Sequence, residues 1–171
     1  MLWLQSLNLD YAFWFTIFAI FILLLMSAFF SGSETALTAA SRGKLQTQAD
    51  KGSRGAARAL SITEDNERLI GSVLLGNNLV NILATSLATA LFTKLVGESS
   101  VALATLVMTF LVLIFAEVLP KTYAITNAER AAARVSAPIS LLVSIFDPIV
   151  SAVRKFAVSY THLTLPTKRI V

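Results

Sequence analysis

The sequence has no cysteine and little charge, and each shortage excludes a class of protein. Without cysteine the chain has neither a disulfide framework nor a thiolate metal site. Charged residues make up 14% of the 171 positions, whereas hydrophobic residues make up 56%, and the mean hydropathy is +0.72. A soluble domain of this size could not cover so much apolar surface. The composition therefore predicts an integral membrane protein.

Three apolar segments predict an all-α integral membrane fold with three transmembrane helices. The first, Tyr11 to Phe30, carries no charge and gives about 30 Å of helix, which is enough to cross a bilayer core. We expect this helix to continue to about Ala40. The second segment runs from Leu69 to Phe92, and the third runs from Val101 to about Ile125.

The basic residues predict the orientation of these helices. Every Lys and Arg except Lys94 lies on one side of the membrane if the first helix runs from outside to inside. Because basic residues concentrate in cytoplasmic loops, we expect a multi-pass protein of the cell (inner) membrane, with its N-terminus outside and its C-terminus in the cytoplasm. The sequence pI near 9.7 then reflects topology and does not indicate a nucleic-acid partner. The polar segment Ser41 to Glu67 predicts one or two juxtamembrane amphipathic helices on the inner side.

The last part of the chain carries two different expectations. Val135 to Ala157 is apolar enough for a fourth span, but Pro138, Asp147 and Pro148 favour a kinked helix that lies at the inner interface. Residues 158–171 lack a helical period and resemble translated sequencing-adapter sequence. We therefore expect a membrane domain at residues 1–157, followed by a non-native or disordered tail at residues 158–171.

Each of the three apolar segments is interrupted by a short polar insert. The inserts are Ser-Gly-Ser-Glu at 31–34, Gly-Asn-Asn-Leu-Val-Asn at 76–81 and Glu-Val-Leu-Pro-Lys at 117–121. Polar and ionisable groups inside a membrane are costly, and they usually mark ion or proton pathways. We therefore predict that the three inserts meet and form one cation site.

The first two inserts also have structural interpretations. Ser27, Ser31 and Glu34 share a helix face, but the serines could bond back to the preceding turn at a glycine kink, and Glu34 could be solvated at the inner boundary. Asn77 and Asn81 stack on one face, while Asn78 points roughly 100° away. Their amide oxygens suit Mg²⁺ or Ca²⁺, yet interhelical hydrogen bonds would use the same groups equally well.

The third insert favours a cation site more strongly. Pro120 has no N–H, so the carbonyl of Ala116 loses its helical donor and becomes available beside Glu117. Broken helices with free carbonyls coordinate ions in transporters. The competing interpretation is an ion pair between Glu117 and Lys121 at four-residue spacing. Because the inserts offer only oxygen ligands, they favour Mg²⁺, Ca²⁺, Mn²⁺ or Na⁺ over Zn²⁺ or Cu²⁺.

At these inserts the sequence resembles the transmembrane domain of the CorC/CNNM (cyclin M) family of magnesium transport proteins. The family pattern is Ser-Gly-x-Glu, Gly-Asn-x-x-x-Asn and Glu-x-x-Pro-Lys on successive helices, and the likeness runs from about Tyr11 to Ala157. The resemblance implies a homodimer of three-helix protomers that binds or transports Mg²⁺. It also implies cytoplasmic CBS domains that bind nucleotide, which these 171 residues do not include.

The resemblance also assigns roles to individual residues. It implies a Mg²⁺ site formed by Ser31, Asn77, Asn81 and Glu117, completed by backbone oxygens. Supporting or pathway roles fall to Gly32, Ser33, Glu34, Asn78, Ala116, Pro120 and Lys121.

Three functions compete at this point. The first is divalent-cation transport, most concretely Mg²⁺ efflux with Na⁺ as a candidate exchange ion. The second is a membrane regulator or scaffold, whose structural cation helps it to modulate another transporter. The third, an intramembrane hydrolase using Ser31 or Ser33 with Lys121, lacks an evident oxyanion hole, so we expect that the protein is not an enzyme.

Small residues four apart on the second helix predict that helix as the contact of a homodimer in membrane lipid, namely Ser72, Gly76, Ala84 and Ala88.

Overall fold

A computed structural model describes the backbone of residues 2–97 and 101–164, and the side chains of residues 11–97 and 101–154. This part of the chain is helical and contains no β-strand. The elements are α1 (Leu2–Ala39), α2 (Arg42–Asp50), α3 (Arg54–Ile62), α4 (Asn66–Val96), α5 (Val101–Leu111), a π-helical segment (Val112–Val118), α6 (Leu119–Thr126) and α7 (Ala128–Thr164). Helix α5, the π segment and α6 follow one another without a break and form one long helix.

Among the described residues, four helical stretches are long and apolar enough to cross a membrane. Three of them, Tyr11–Ala39, Asn66–Val96 and Val101–Thr126, correspond to the three predicted spans. The fourth, Ala128–Arg154, belongs to α7, which runs through Pro138 and Pro148 as one helix. Length and composition therefore support an all-helical membrane protein but do not limit the number of spans to three. Helix α7 also continues into the first residues of the predicted tail, to Thr164.

The juxtamembrane region consists of two short helices, α2 and α3, whose ends follow from local sequence. Gly52 separates them with a φ of 91°, a left-handed conformation that glycine adopts without a steric penalty. Ser53 caps α3 by accepting a hydrogen bond from the N–H of Ala56, and Asp65 caps α4 by accepting one from the N–H of Arg68. These caps turn the chain back so that α4 starts at the end where α2 and α3 lie.

Helix α7 contacts this end of the molecule at several points along its length. Near its start, Glu129 pairs with Lys44 of α2 at 3.0 Å, and the carbonyl of Ala133 lies against Gly55 of α3. Farther along, its side chains form ion pairs with the first residues of α4 and its cap, namely Asp147 with Arg68, and Arg154 with Asp65 at 3.6 Å. We call the region formed by residues 41–73 and α7 the basic end, and the region formed by α5 and residues 84–96 the α5 end.

The four small residues of the second helix lie inside the chain rather than on its surface. Ser72, Ala84 and Ala88 expose at most 2% of their area. A Cβ added at Gly76 would lie 3.3 Å from the ring of Phe30, and the ring of Phe146 is 3.6 Å away. These residues pack against α1, α5 and α7 of the same chain. The prediction that they form a dimer contact is therefore wrong.

Candidate functional site

A buried hydrogen bond joins α1, one turn before the first insert, to the second insert. Ser27 and Asn77 are both buried, and the hydroxyl of Ser27 donates to Oδ1 of Asn77 at 2.8 Å. Helix α1 continues through the Ser-Gly-Ser-Glu insert without a break. The hydrogen bond fixes the orientation of the Asn77 amide and places Ser31, one turn after Ser27, at the same junction of α1 and α4.

The first insert also contacts the third. A Cβ added at Gly32 would lie 3.3 Å from Cβ of Pro120 and 3.5 Å from its carbonyl oxygen. The absence of a side chain at Gly32 therefore allows α1 to approach the backbone of α6 closely. A larger residue at this position would separate the two inserts.

The third insert lies where the helix changes its period. Residues Val112–Val118 are π-helical, and the N–H of Leu119 donates to the carbonyl of Ile114, five residues earlier. Pro120, which has no N–H, follows at once. Pro120 predicts an interruption of the α-helix at this point. The structure shows it as a widened π turn that contains Ala116 and Glu117, rather than as an unwound stretch. Such π turns occur often at functional sites.

The second and third inserts share one groove. Asn81 of α4 and Glu117 of the π segment line a cavity of about 270 Å³. The rest of its wall comes from two threonines and three apolar side chains, namely Thr85, Thr109, Met108, Val112 and Leu113. Glu117 is the one acidic residue in this lining.

The structure thus brings Asn81 and Glu117 together in one groove, whereas Ser31 and Asn77 lie at the junction of α1 and α4 and do not belong to the lining of that groove. Two buried oxygens, Oγ of Ser31 and Oδ1 of Asn81, have no hydrogen-bond partner among the residues that the structure describes. Buried polar atoms normally have partners, so unpaired oxygens are expected where a ligand or water binds. The donor set consists of hydroxyl, amide and carboxylate oxygens, which are hard ligands of the kind that Mg²⁺ and Ca²⁺ accept.

Other predicted residues lie around these side chains in different ways. Lys121 donates to Oε2 of Glu117 at 3.0 Å, so the ion pair that the four-residue spacing allows is present. Ser33 is buried, but it lies two residues from Ser31 and hence on another side of α1. Glu34 is half-buried, and Asn78 is exposed on the outside of α4. Within the described ranges no three His, Cys, Asp or Glu residues lie close enough to hold a metal ion.

Sequence reasoning missed the roles that several residues have in the groove and at the junction of α1 and α4. The spacing of Ser27 and Ser31 places both on one face of α1, but it does not identify Ser27 as the hydrogen-bond partner of Asn77. Thr85 and Thr109 line the groove, although the hydroxyl of Thr85 donates to the backbone carbonyl of Asn81 at 2.8 Å. Their sequence neighbourhood is ordinary for a membrane helix, so nothing distinguishes them before the helices are packed.

Helices long enough to cross a membrane, with polar side chains between them, define a multi-pass membrane protein. Residues 18–165 match the family described as "Cyclin M transmembrane N-terminal domain", and the chain belongs to this CNNM family. The family resemblance that the three inserts predict is therefore confirmed. The match reaches into the segment 158–171.

Relatives of the chain come from several bacteria. The UPF0053 inner membrane protein YfjD of Escherichia coli is 49% identical over 107 residues, which are 63% of this chain and 25% of that protein. A UPF0053 protein of Haemophilus influenzae is 39% identical over 149 residues, covering 86% of this chain and 36% of the relative. The polyamine export protein of Salmonella typhimurium is 32% identical over 157 residues, which are 79% of this chain and 33% of the relative. The chain thus spans only about a quarter to a third of these relatives.

Proposed function

We propose that the chain is the membrane domain of a transporter that moves a divalent cation, most concretely Mg²⁺, out of the cell, with Na⁺ as the candidate exchange ion. The observation that carries the proposal is the groove shared by Asn81 and Glu117, beside the junction of Ser27 and Asn77. A carboxylate and two unpaired oxygens between apolar helices fit a cation better than any other small ligand.

Each proposed ligand has a distinct task. Glu117 supplies the negative charge that a divalent ion needs in a region of low dielectric. Ser31, Asn77 and Asn81 supply neutral oxygens that set the geometry, and the Oδ1 atom of Asn77 can bind an ion while it accepts from Ser27 because it has two lone pairs. Backbone carbonyls of the π segment near Pro120 complete the set.

We also propose that the basic end faces the cytoplasm and that three helices span the membrane. The concentration of Lys and Arg at this end supports the orientation. The contacts of α7 support the span count, because Glu129 near its start and Arg154 near the end of its described side chains both pair with residues of the segment 41–68. A helix that crossed the membrane would bring only one of its ends to this region.

The homodimer remains part of the proposal, but with a different contact. Asn78 is an exposed amide on a face of α4 that is otherwise largely apolar, where Leu74, Leu79 and Ile82 are also exposed. A polar side chain facing lipid gains most from a hydrogen bond to another protein chain. We therefore place the contact between protomers on this face, rather than on the small residues that pack inside the chain.

Two of the relatives are named polyamine export proteins, at 28% and 32% identity, which makes an organic polycation the second candidate substrate. An extended polyamine carries several separated charges, and its binding would need several anionic groups along a channel. The groove has one carboxylate, Glu117, within a lining of about 270 Å³. This arrangement favours a compact ion of high charge density over a polyamine.

Flux measurements on the purified 171-residue chain in liposomes test the proposal. Liposomes loaded with a Mg²⁺-sensitive dye should show Mg²⁺ movement, and Glu117→Gln should slow it by about tenfold or more, since loss of one charged ligand interaction costs at least about 1.4 kcal/mol. The matched control is Glu67→Gln, which makes the same change at an exposed position in the first turn of α4.

Three other outcomes would contradict the proposal in distinct ways. Movement of spermidine but not of Mg²⁺ would favour the polyamine substrate. Mg²⁺ binding without any flux would favour the regulator or scaffold. Equal flux in the parent, Glu117→Gln and Glu67→Gln would remove Glu117 from the pathway.

A further inference from the structure

We propose that Lys121 acts as an internal cation, which neutralises Glu117 while no divalent ion is bound and must release Glu117 when the ion arrives. The inference rests on the proposed cation site and assigns to Lys121 the role of a competitor that sets the affinity of that site. It concerns a positioning residue that acts through Glu117, rather than a ligand of the ion.

The ion pair between the two side chains is the first observation. Nζ of Lys121 lies 3.0 Å from Oε2 of Glu117, one helical turn away. The side chains are 43% and 31% exposed, respectively, on a helix that is apolar over most of its length. An unpaired carboxylate among apolar helices is costly, so the ammonium group stabilises the empty state of the site.

The position of the groove is the second observation. Glu117 lines the groove together with Asn81, whereas Lys121 does not belong to its lining. The ammonium group therefore approaches the carboxylate from outside the groove, while the proposed ion would approach the same carboxylate from inside it. With one carboxylate in the lining, both cations compete for the same negative charge.

Charge arithmetic makes this competition strong. A carboxylate paired with an ammonium is neutral, whereas a carboxylate shared by an ammonium and a divalent ion leaves a net charge of two in an apolar region. Such an excess charge is unfavourable where the dielectric is low. The lysine side chain has a long flexible stem and holds a single carboxylate oxygen, so it can swing away from Glu117 without moving the helix backbone.

The sign of the change in affinity tests the inference. Lys121→Met keeps the length of the side chain but removes its charge, so the Kd for Mg²⁺ should fall by about threefold to tenfold in calorimetry on the 171-residue chain. Lys121→Arg, whose planar group can hold both carboxylate oxygens, should raise the Kd. Lys51→Met, at an exposed position between α2 and α3, is the matched control and should bind like the parent.

A second measurement keeps the test independent of transport and of folding losses. Added Mg²⁺ should raise the unfolding temperature of Lys121→Met more than that of the parent, because the parent gives up its ion pair when Mg²⁺ binds whereas the variant has no ion pair to lose. Lys121→Gln serves as a second neutral variant and should behave in the same way. If Lys121 only holds Glu117 in place, both neutral variants bind Mg²⁺ more weakly than the parent, and the inference is overturned.

The two proposals fail in different ways. If the parent binds Mg²⁺ and the neutral variants bind it equally or more weakly, the competitor role is wrong and the cation site stands. If neither the parent nor any variant binds Mg²⁺, the site itself is wrong, and the role of Lys121 falls with it.

Discussion

The basic end and the α5 end of the molecule are built very differently. At the basic end, side chains of α1, α2, α3, α4, α6 and α7 form one buried cluster that includes Leu45, Leu69 and Ile139. At the α5 end, the buried cluster that the structure describes consists of Ala84 and Ala88 of α4 and Met108 of α5, with partly buried side chains of α1 packed against it. Ion pairs across α2, α4 and α7 reinforce the basic end further.

This difference assigns separate tasks to the two ends. The polar inserts lie between them, and the groove takes Glu117 from the π segment but Met108 from the α5-end cluster. Regions with few buried contacts open most easily. We therefore expect the densely packed basic end to hold the ligands in place, while the α5 end moves when the cation enters or leaves.

Labelling of single cysteines from each side of the membrane should give the largest effect, because each position reacts either from one side or from the other. The chain has no cysteine, so single cysteines placed at Lys51, Arg130 and Arg154 can be labelled without background. All three should react from the same side of the membrane, and a cysteine at Lys94 should react from the other. Labelling of Arg154→Cys from the same side as Lys94→Cys would make α7 a fourth span. Helix α7 would then not lie entirely on the same side of the membrane as the rest of the basic end.

Alanine substitutions at two glycines, Gly55 and Gly43, should produce the largest difference in stability between a pair of variants. A Cβ at Gly55 would overlap the carbonyl oxygen of Ala133, so α3 and α7 would have to separate. Gly55→Ala should cost about 3 kcal/mol, at the upper end of overpacking. Gly43→Ala, in α2, meets no atom closer than 4.0 Å and should be neutral or stabilising by up to about 1 kcal/mol. Thermal unfolding in detergent measures both, and equal effects would contradict the close contact of α3 and α7.

Large-to-small substitutions in the two buried clusters should differ in the stability that they cost, by a smaller amount than the two glycine substitutions. Leu69→Ala at the basic end should cost about 4 kcal/mol, because densely packed neighbours cannot fill the cavity. Met108→Ala at the α5 end should cost about 2 kcal/mol, since the side chain borders the groove and the site can relax there. Denaturation of both variants in the same detergent gives the comparison. A larger loss for Met108→Ala would reverse our assignment of the rigid and mobile ends.

A substitution at the junction of α1 and α4, between the two ends, should cause the smallest loss of stability. Ser27→Ala removes the hydrogen bond to Asn77 and should cost about 1 kcal/mol of stability. It should also weaken Mg²⁺ binding by about threefold, because the amide of Asn77 loses its fixed orientation. Thr16→Val is the control, since the hydroxyl of Thr16 donates only to the carbonyl of Ala12 in its own helix. Unchanged Mg²⁺ binding in Ser27→Ala would remove Ser27 from the site.

The parts of the structure that follow from composition were predictable. Long apolar segments, the short helices between Ser41 and Glu67, and the ion pair of Glu117 with Lys121 depend on local pattern or on spacing along one helix. The polar inserts were visible for the same reason, because a polar residue in an apolar segment stands out without any knowledge of packing.

The remaining features depend on contacts between helices or on backbone detail. The small residues at Ser72, Gly76, Ala84 and Ala88 fit close packing within a chain as well as between chains, so their spacing could not decide between the two. The π segment adds no distinctive residue apart from the following Pro120, and the hydrogen bond of Ser27 depends on how α1 and α4 are packed. Whether the predicted ligands share one ion depends on distances that no sequence pattern contains.

The central claim is that the inserts of three helices bind one cation, and a crystal structure with Mn²⁺ in place of Mg²⁺ tests it most directly. Mn²⁺ accepts the same oxygen ligands, and its anomalous scattering marks its position. We predict one peak per chain, within about 2.0–2.6 Å of oxygens from Ser31, Asn77, Asn81 and Glu117. A peak bound elsewhere, or these four side chains separated by more than about 10 Å with no ion between them, would contradict the shared site.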